Sequence, residues 1–336
     1  MLVVLVLVMV GLLAGVALLV SRWVARGDDY SGQGSGSVRV EVTPGESATA
    51  IGQSLQQAGV VASSQAFVDA ALADDRSLGI QPGFYDMRLR MSGQAALERL
   101  LDPSARVQTD VTVPEGLRVE QVVDLLVAGT GLPRGDFERA LAQPERLGLP
   151  PYADGDAEGF LFPATYSFDP GTSARQTLRT MVSRFDQAAA DVDLVRAARA
   201  VNLTPRQAVT VASLVQAEVA ERDFGKAARV VYNRLNVGMP LQFDSTVNFA
   251  LNSDDLTLTN DQLAVDSPYN TYRNPGLPPG PINSPGEAAL RAALAPDAGS
   301  WLYFVAVAPG SDQTRFTADY QQFLTWKDEF YAAVAP

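Results

Sequence analysis

The chain contains no cysteine and no histidine among its 336 residues. Without cysteine it forms no disulfide, has no thiolate nucleophile and offers no thiolate ligand to a metal. Without histidine, a Ser-His-Asp triad, a histidine-ligated zinc and a histidine general base are all excluded. Acid–base chemistry near neutral pH therefore depends on a carboxyl group, a lysine or a tyrosine whose pKa is shifted by its surroundings. We predict neither a metal site nor a cofactor.

Basic residues are also scarce, since 26 Lys and Arg stand against 38 Asp and Glu, for a net charge of −12. Nucleic acids and anionic lipid surfaces are bound by clusters of lysine and arginine. The charge balance therefore argues against either of them as the main partner. Hydrophobic residues make up 47% of the chain and charged residues 19%, which is an ordinary globular composition. Most of the chain is expected to fold.

Residues 2–20 form an unbroken apolar run without a single charge. As a helix this run would span about 30 Å, the thickness of a bilayer core. Trp23 and two arginines follow it, and these residue types are common at membrane interfaces. We predict a transmembrane anchor at 1–23, in preference to a cleaved signal peptide, and a Gly/Ser-rich tether at 24–37. On the positive-inside rule alone, those arginines would leave the rest of the chain in the cytoplasm.

Two stretches of similar pattern follow the tether. Each one begins with a short alternating strand and a Pro/Gly turn, VRVEVTPGE in the first and TDVTVPEG in the second. Each then predicts a helix, a glycine stop and a second helix. A true duplication and the chance recurrence of a common pattern both account for this. The predicted division is an N-terminal βααβ module at 38–108 and a second βαα unit at 109–157.

The segment TPRQAVTVASLVQAEVAERD predicts a helix with Thr204 as its N-cap and Pro205 in its first turn. Its apolar residues share one face, and the same face carries Glu218. Burial disfavours the charged form of a carboxyl group and raises its pKa, as a general acid working near neutral pH requires. The alternative is a structural carboxylate that pairs with a nearby arginine such as Arg234.

Two polar stretches downstream combine amide, hydroxyl and aromatic side chains. This combination suits sugars, whose CH faces stack on aromatic rings and whose hydroxyl groups need directed hydrogen bonds. The alternative is a long surface loop stiffened by proline. The predicted substrate-binding residues are Gln242, Asp244, Ser245, Thr246, Tyr269, Asn270, Thr271 and Tyr272.

Four ordered motifs, ASLVQAEVAERD, YNRLNVGMPLQFDSTV, YNTYRNPGLPPGPINSPG and WLYFVAV, resemble the MltG (YceG-like) endolytic murein transglycosylases. Upstream, VTVPEG and EGFLFPATY also match that family's pattern, so the resemblance covers nearly the whole chain beyond the tether. It implies that Glu218 is the catalytic residue. It also implies a LysM-like glycan-binding N-terminal part, a catalytic domain at 158–336 and a single-pass membrane protein that faces the cell wall.

The predicted fold class is therefore α+β, with an N-terminal transmembrane helix, LysM-like βαα modules and a C-terminal α+β lytic transglycosylase domain. The predicted reaction is endolytic cleavage of the MurNAc–GlcNAc bond with formation of 1,6-anhydro ends, which would terminate nascent strands. The predicted partners are peptidoglycan glycan strands, the cell membrane and peptidoglycan synthases, with no nucleic acid and an extracytoplasmic catalytic domain. Two alternatives stay open: a lysozyme-like muramidase in which Asp244 activates water, and a non-catalytic wall-binding adaptor.

Overall fold

The computed structural model describes residues 28–255, 257–308 and 310–334. These residues fall into two compact units. The first consists of the described part of Met1–Thr109 together with Asp169–Gly171, and the second of Asp110–Phe168 and the described part of Thr172–Pro336. The division predicted from the sequence, with boundaries at 37, 108 and 157, stays a prediction.

The first unit packs three helices against one antiparallel strand pair. Its elements are β1 (Gln33–Val42), α1 (Ala48–Gln57), α2 (Ser64–Ala73), β2 (Gly83–Met91) and α3 (Gly93–Leu101). The register places Val38 opposite Met87 and Val42 opposite Gly83. The serine before each helix accepts a hydrogen bond from a backbone N–H of its first turn, which satisfies a donor that the helix itself leaves free.

The second unit is mostly helical and contains two further strand pairs, β3–β4 and β5–β6. Its elements are β3 (Thr109–Val113), α4 (Val119–Thr130), α5 (Arg134–Leu141), β4 (Ala164–Phe168), α6 (Ala174–Asp191), α7 (Leu194–Ala200), α8 (Pro205–Glu218), α9 (Phe224–Asn236), α10 (Asp244–Leu251), α11 (Asn260–Leu263), α12 (Glu287–Leu294), β5 (Tyr303–Ala306), β6 (Thr314–Thr317) and α13 (Tyr320–Val334). One hydrophobic cluster joins β3 and β4 to α4, α5 and α6. A second cluster surrounds α8 and includes side chains of α9 and α12.

Helix α8 is the central element of the second cluster. Every residue from Ala208 to Val215 is buried. The helix begins with a capping box in which Thr204 and Gln207 each bond the other's backbone N–H, and Pro205 occupies the first turn, where a missing N–H costs nothing. Val219 is extended, so the helix ends at Glu218. A buried, well-capped helix fixes the position of its last side chain.

The predicted fold class is wrong as stated. The described residues form a mixed α and β structure with small sheets, and none of their helices is long and apolar enough to cross a membrane. The longest of these helices, Ala174–Asp191, has 18 residues and carries arginine and aspartate side chains, whereas a span needs about 20 predominantly apolar residues. The transmembrane helix predicted at 1–23 lies outside the described residues.

Gly93 allows helices α2 and α3 to approach closely. A Cβ atom at this position would overlap the carbonyl group of Ala66, which is part of the backbone of helix α2. We expect Gly93→Ala to lower the free energy of unfolding by about 2 kcal/mol, as overpacking does. Gly79→Ala is the matched control, because no heavy atom lies within 4 Å of a Cβ there. Urea unfolding measures both, and equal midpoints for the two variants would contradict the close approach.

Candidate active site

Glu218 lines a cleft of about 740 Å³ in the second unit. The carboxyl group stands at the C-terminal end of α8, and its residue is partly exposed rather than sealed in the core. Besides Glu218, the cleft is lined by side chains from α9, from the start of α10, from the strand Tyr303–Ala306 and from the helix Tyr320–Val334. A substrate can therefore reach the acid.

Burial of the carboxyl group raises the pKa of Glu218 from 4.5 to about 7. Three neighbours modify this effect: the hydrogen bond from Ser245 lowers the pKa, the negative charge of Asp244 raises it and the positive charge of Arg234 lowers it. Desolvation is the largest of these causes. At neutral pH the group is thus poised between its acid and carboxylate forms, as general acid–base catalysis requires.

The start of α10 places two polar residues beside the acid. Ser245 Oγ donates to Glu218 Oε1 over 2.5 Å. Tyr272 OH donates to Asp244 Oδ1, also over 2.5 Å. The second contact orients Asp244 and holds the loop that carries Tyr272 against the cleft. Of the residues predicted from the sequence, Glu218, Gln242, Asp244, Ser245 and Tyr272 are brought together here.

Gln242 adopts the left-handed backbone conformation, with φ of +53°. This conformation is uncommon for a residue other than glycine, and such residues cluster at functional sites. Its backbone N–H donates to the carbonyl oxygen of Thr271, which ties the two polar stretches together. The exposed Gln242 side chain lines the cleft.

The other four predicted residues support the loops around the cleft. Thr246 and Thr271 are buried, bond each other through their hydroxyl groups and hold the backbone of Phe243. Asn270 is fully buried and donates to the carbonyl oxygens of Leu263 and Val265. Tyr269 packs on Phe249, with 4.7 Å between ring centroids. Their predicted contact with substrate stays a prediction.

Arg234 does not form an ion pair with Glu218. Its Nε donates to the carbonyl oxygen of Leu302 over 2.6 Å, and its Nη1 donates to the carbonyl oxygen of Leu241. Among the described residues, no cationic nitrogen lies within 4.0 Å of the Glu218 carboxylate. The alternative of a structural carboxylate locked to Arg234 is therefore not what the structure shows.

One side of the cleft was not predicted from the sequence. Five side chains of the C-terminal helix line it: Tyr320, Phe323, Lys327, Phe330 and Tyr331. They recur at helical spacing, which identifies a single helix face but does not reveal what that face contacts. Tyr303, on the strand beside them, belongs to the WLYFVAV motif and also lines the cleft.

Glu158, the first residue of the EGFLFPATY motif, is a second acid with a raised pKa. Burial raises its pKa to about 7, while the hydrogen bond from the backbone N–H of Val119 lowers it. Both carboxyl oxygens accept that N–H at the first turn of α4. Glu158 does not line the cleft of Glu218. We assign it to anchoring the start of α4.

In the described part of the chain, no group of three or more acidic side chains is placed to hold a metal ion. The cleft presents the Glu218 carboxyl group, its polar neighbours and the buried guanidinium group of Arg234. This set can donate and accept a proton.

The sequence profile of the YceG-like family matches residues 40–329 of the chain. A Bacillus subtilis (strain 168) protein named endolytic murein transglycosylase is 31% identical over 315 residues, covering 88% of this chain and 86% of the relative. A Streptococcus pneumoniae R6 protein of the same name is 30% identical over 305 residues, and the chain spans about half of it, 54%.

Among solved structures, the crystal structure of a putative yceG-like protein from Listeria monocytogenes is similar, with a TM-score of 0.59 and 27% sequence identity. The match covers 86% of this chain and 99% of the other. The resemblance drawn from the sequence motifs is confirmed by these matches. The chain belongs to the YceG-like family.

Proposed function

We propose that the protein is an endolytic murein transglycosylase, a lyase that cleaves peptidoglycan glycan strands with Glu218 as its catalytic acid and base. One observation carries the assignment of the residue: a carboxyl group with a pKa of about 7 lies at an open cleft and is free of ion pairs among the described residues. The relatives' shared name and the family match support the reaction class.

In the first step, protonated Glu218 donates its proton to the oxygen that links N-acetylmuramic acid to N-acetylglucosamine. The glycosidic C1–O bond breaks, the N-acetylglucosamine end leaves as an alcohol, and positive charge develops at C1 of the muramic ring. In the second step, the Glu218 carboxylate takes the proton from the C6 hydroxyl group of the same ring, and O6 bonds to C1. The acid is regenerated and the product ends in a 1,6-anhydro ring.

A single carboxyl group suffices because the sugar itself supplies the nucleophile. Hydrolysing glycosidases instead use a second carboxylate, which activates water or attacks the sugar. Asp244 is the nearby carboxylate, and its Oδ1 already accepts the hydrogen bond of Tyr272. We propose that Asp244 holds the loop of Tyr272 and raises the pKa of Glu218 by its charge, rather than activating water.

We propose that this reaction takes place outside the cytoplasm, at the cell membrane, and terminates nascent strands beside peptidoglycan synthases. The location is supported by the position of murein in the cell and by the apolar run at 2–20. Glycan binding by the N-terminal LysM-like part belongs to the same proposal. It is supported by the resemblance of the N-terminal sequence to that family's glycan-binding module.

Glu218→Gln is expected to abolish the release of anhydro-ended fragments from purified glycan strands, with a rate loss of at least about 10²-fold, because an amide cannot donate the proton. Glu221→Gln is the matched control, since Glu221 is exposed and does not line the cleft. Mass spectrometry of the products decides the reaction type. Reducing ends, heavier by one water, would indicate the muramidase, and binding without cleavage by the wild type would indicate the adaptor.

We expect kcat/KM to fall about tenfold for each pH unit above about pH 7, because Glu218 loses the proton that it must donate. Ser245→Ala removes the hydrogen bond that lowers the pKa, so the fall moves to higher pH. Asp244→Asn removes the negative charge that raises the pKa, so the fall moves to lower pH. Initial rates measured from about pH 5 to about pH 9, on both sides of the Glu218 pKa of about 7, report both shifts. Shifts in the same direction would refute this account of the acid.

A further inference from the structure

One face of the C-terminal helix, Tyr320–Val334, forms a wall of the cleft that holds Glu218. Its lining residues lie at positions 320, 323, 327, 330 and 331, which fall on one side of an α-helix. Four of the five are aromatic and the fifth is a lysine. An amphipathic helix normally buries its apolar face against the core. Here that face borders the space beside the catalytic acid.

The inner part of this face fixes the helix in place. Phe323 stacks on Tyr303 with ring centroids 5.1 Å apart and planes 23° apart. The centroid of the Tyr303 ring in turn lies 5.5 Å from the guanidinium carbon of Arg234. Arg234 is the buried cation whose charge lowers the pKa of Glu218. The aromatic wall and the acid are therefore parts of one packed arrangement.

The outer part of the face is left open. Tyr320 is 51% exposed and Tyr331 is 47% exposed, although both line the cleft. Half-exposed tyrosine rings at the edge of a cleft offer an apolar face with a hydroxyl group at its tip. A pyranose ring matches this surface, because its CH groups stack on the ring while its hydroxyl groups accept and donate hydrogen bonds.

Lys327 adds a positive charge between these rings. It is exposed, its Nζ lies 5.7 Å from the centroid of the Tyr331 ring, and no carboxylate lies within 4.0 Å of it in the part of the chain that the structure describes. The chain has a net charge of −12, so acidic side chains outnumber basic ones, yet this cation at the cleft has no acidic partner among the described residues. It suits a ligand that brings its own carboxylate.

We propose that this helix face is a glycan subsite in which Tyr320 and Tyr331 stack on sugar rings and Lys327 pairs with a carboxylate of the peptide stem. The inference rests on the proposed function, because it takes murein as the substrate. It adds a preference: the cleft binds strands that carry peptide stems more tightly than strands from which the stems have been removed.

Binding is tested in the full-length Glu218→Gln protein, which retains the cleft without cleaving the ligand. Purified glycan strands are used in two forms, with peptide stems and after their removal. We expect the stem-bearing form to bind about threefold more tightly, the size of effect that one exposed ion pair gives, and the preference to shrink as salt is raised. Adding Lys327→Met removes the positive charge, so the affinities for strands with and without peptide stems are expected to become equal.

Adding Tyr320→Ala or Tyr331→Ala to the same protein is expected to weaken the binding of both strand forms by about fivefold, because each removes a stacking surface. Tyr320→Phe and Tyr331→Phe keep the rings and are expected to retain most of the affinity. Gln322→Ala is the matched control, on an exposed position of the same helix that does not line the cleft. Circular dichroism verifies that each variant is folded.

The outcomes separate this proposal from the proposed function. If Glu218→Gln loses cleavage but the lysine and tyrosine variants bind like their parent, the glycan subsite is refuted and the catalytic assignment stands. If Glu218→Gln still releases anhydro ends, the catalytic assignment fails whatever the binding data show. Equal affinity for both strand forms would refute the pairing of Lys327 with the stem.

Discussion

The desolvation of one carboxyl group is the interaction on which the rest of the site depends. Partial removal of the Glu218 carboxyl group from water disfavours its charged form, and this desolvation is the largest cause of its raised pKa. An ion pair would cancel the effect, because a close cation favours the carboxylate. The structure avoids that pairing by committing Arg234 to the carbonyl oxygens of Leu302 and Leu241. The cation stays near enough to act through its charge, but it does not neutralise the acid.

The surroundings of the acid are rigid for reasons that can be stated residue by residue. The capped and buried helix α8 fixes the backbone of Glu218. Ser245 fixes its carboxyl group through a hydrogen bond. The hydroxyl groups of Thr246 and Thr271 bond the start of α10, which carries Ser245, to the loop that carries Tyr272. Catalytic groups must be held within fractions of an ångström of their working geometry. Several polar side chains beside this cleft therefore form hydrogen bonds with backbone groups and hold the loops in place.

The cleft has two kinds of surface, and they come from distant parts of the chain. One is a polar network around Asp244, Ser245 and Tyr272, and the other is the aromatic face of the C-terminal helix. A sugar polymer needs both, because hydroxyl and amide groups require directed hydrogen bonds while ring faces require flat apolar contact. The ring of Tyr303 stacks on Phe323 and lies against the guanidinium group of Arg234, so it links the aromatic helix to the buried cation near Glu218.

The sequence by itself indicated the type of chemistry and Glu218 as the candidate acid. The lack of histidine and cysteine left a carboxyl group as the leading candidate, and the 3.6-residue periodicity of 204–218 placed Glu218 on an apolar face. Only the tertiary structure decided which polar residues surround the acid. Asn270 and Thr246 looked like sugar ligands, yet their donors hold backbone carbonyl groups, because a buried amide or hydroxyl group must be satisfied by whatever lies nearest. The place of the C-terminal helix at the cleft was not predicted for a related reason. Periodicity shows that a helix has an apolar face, but contacts between residues about a hundred positions apart arise only when the chain has folded.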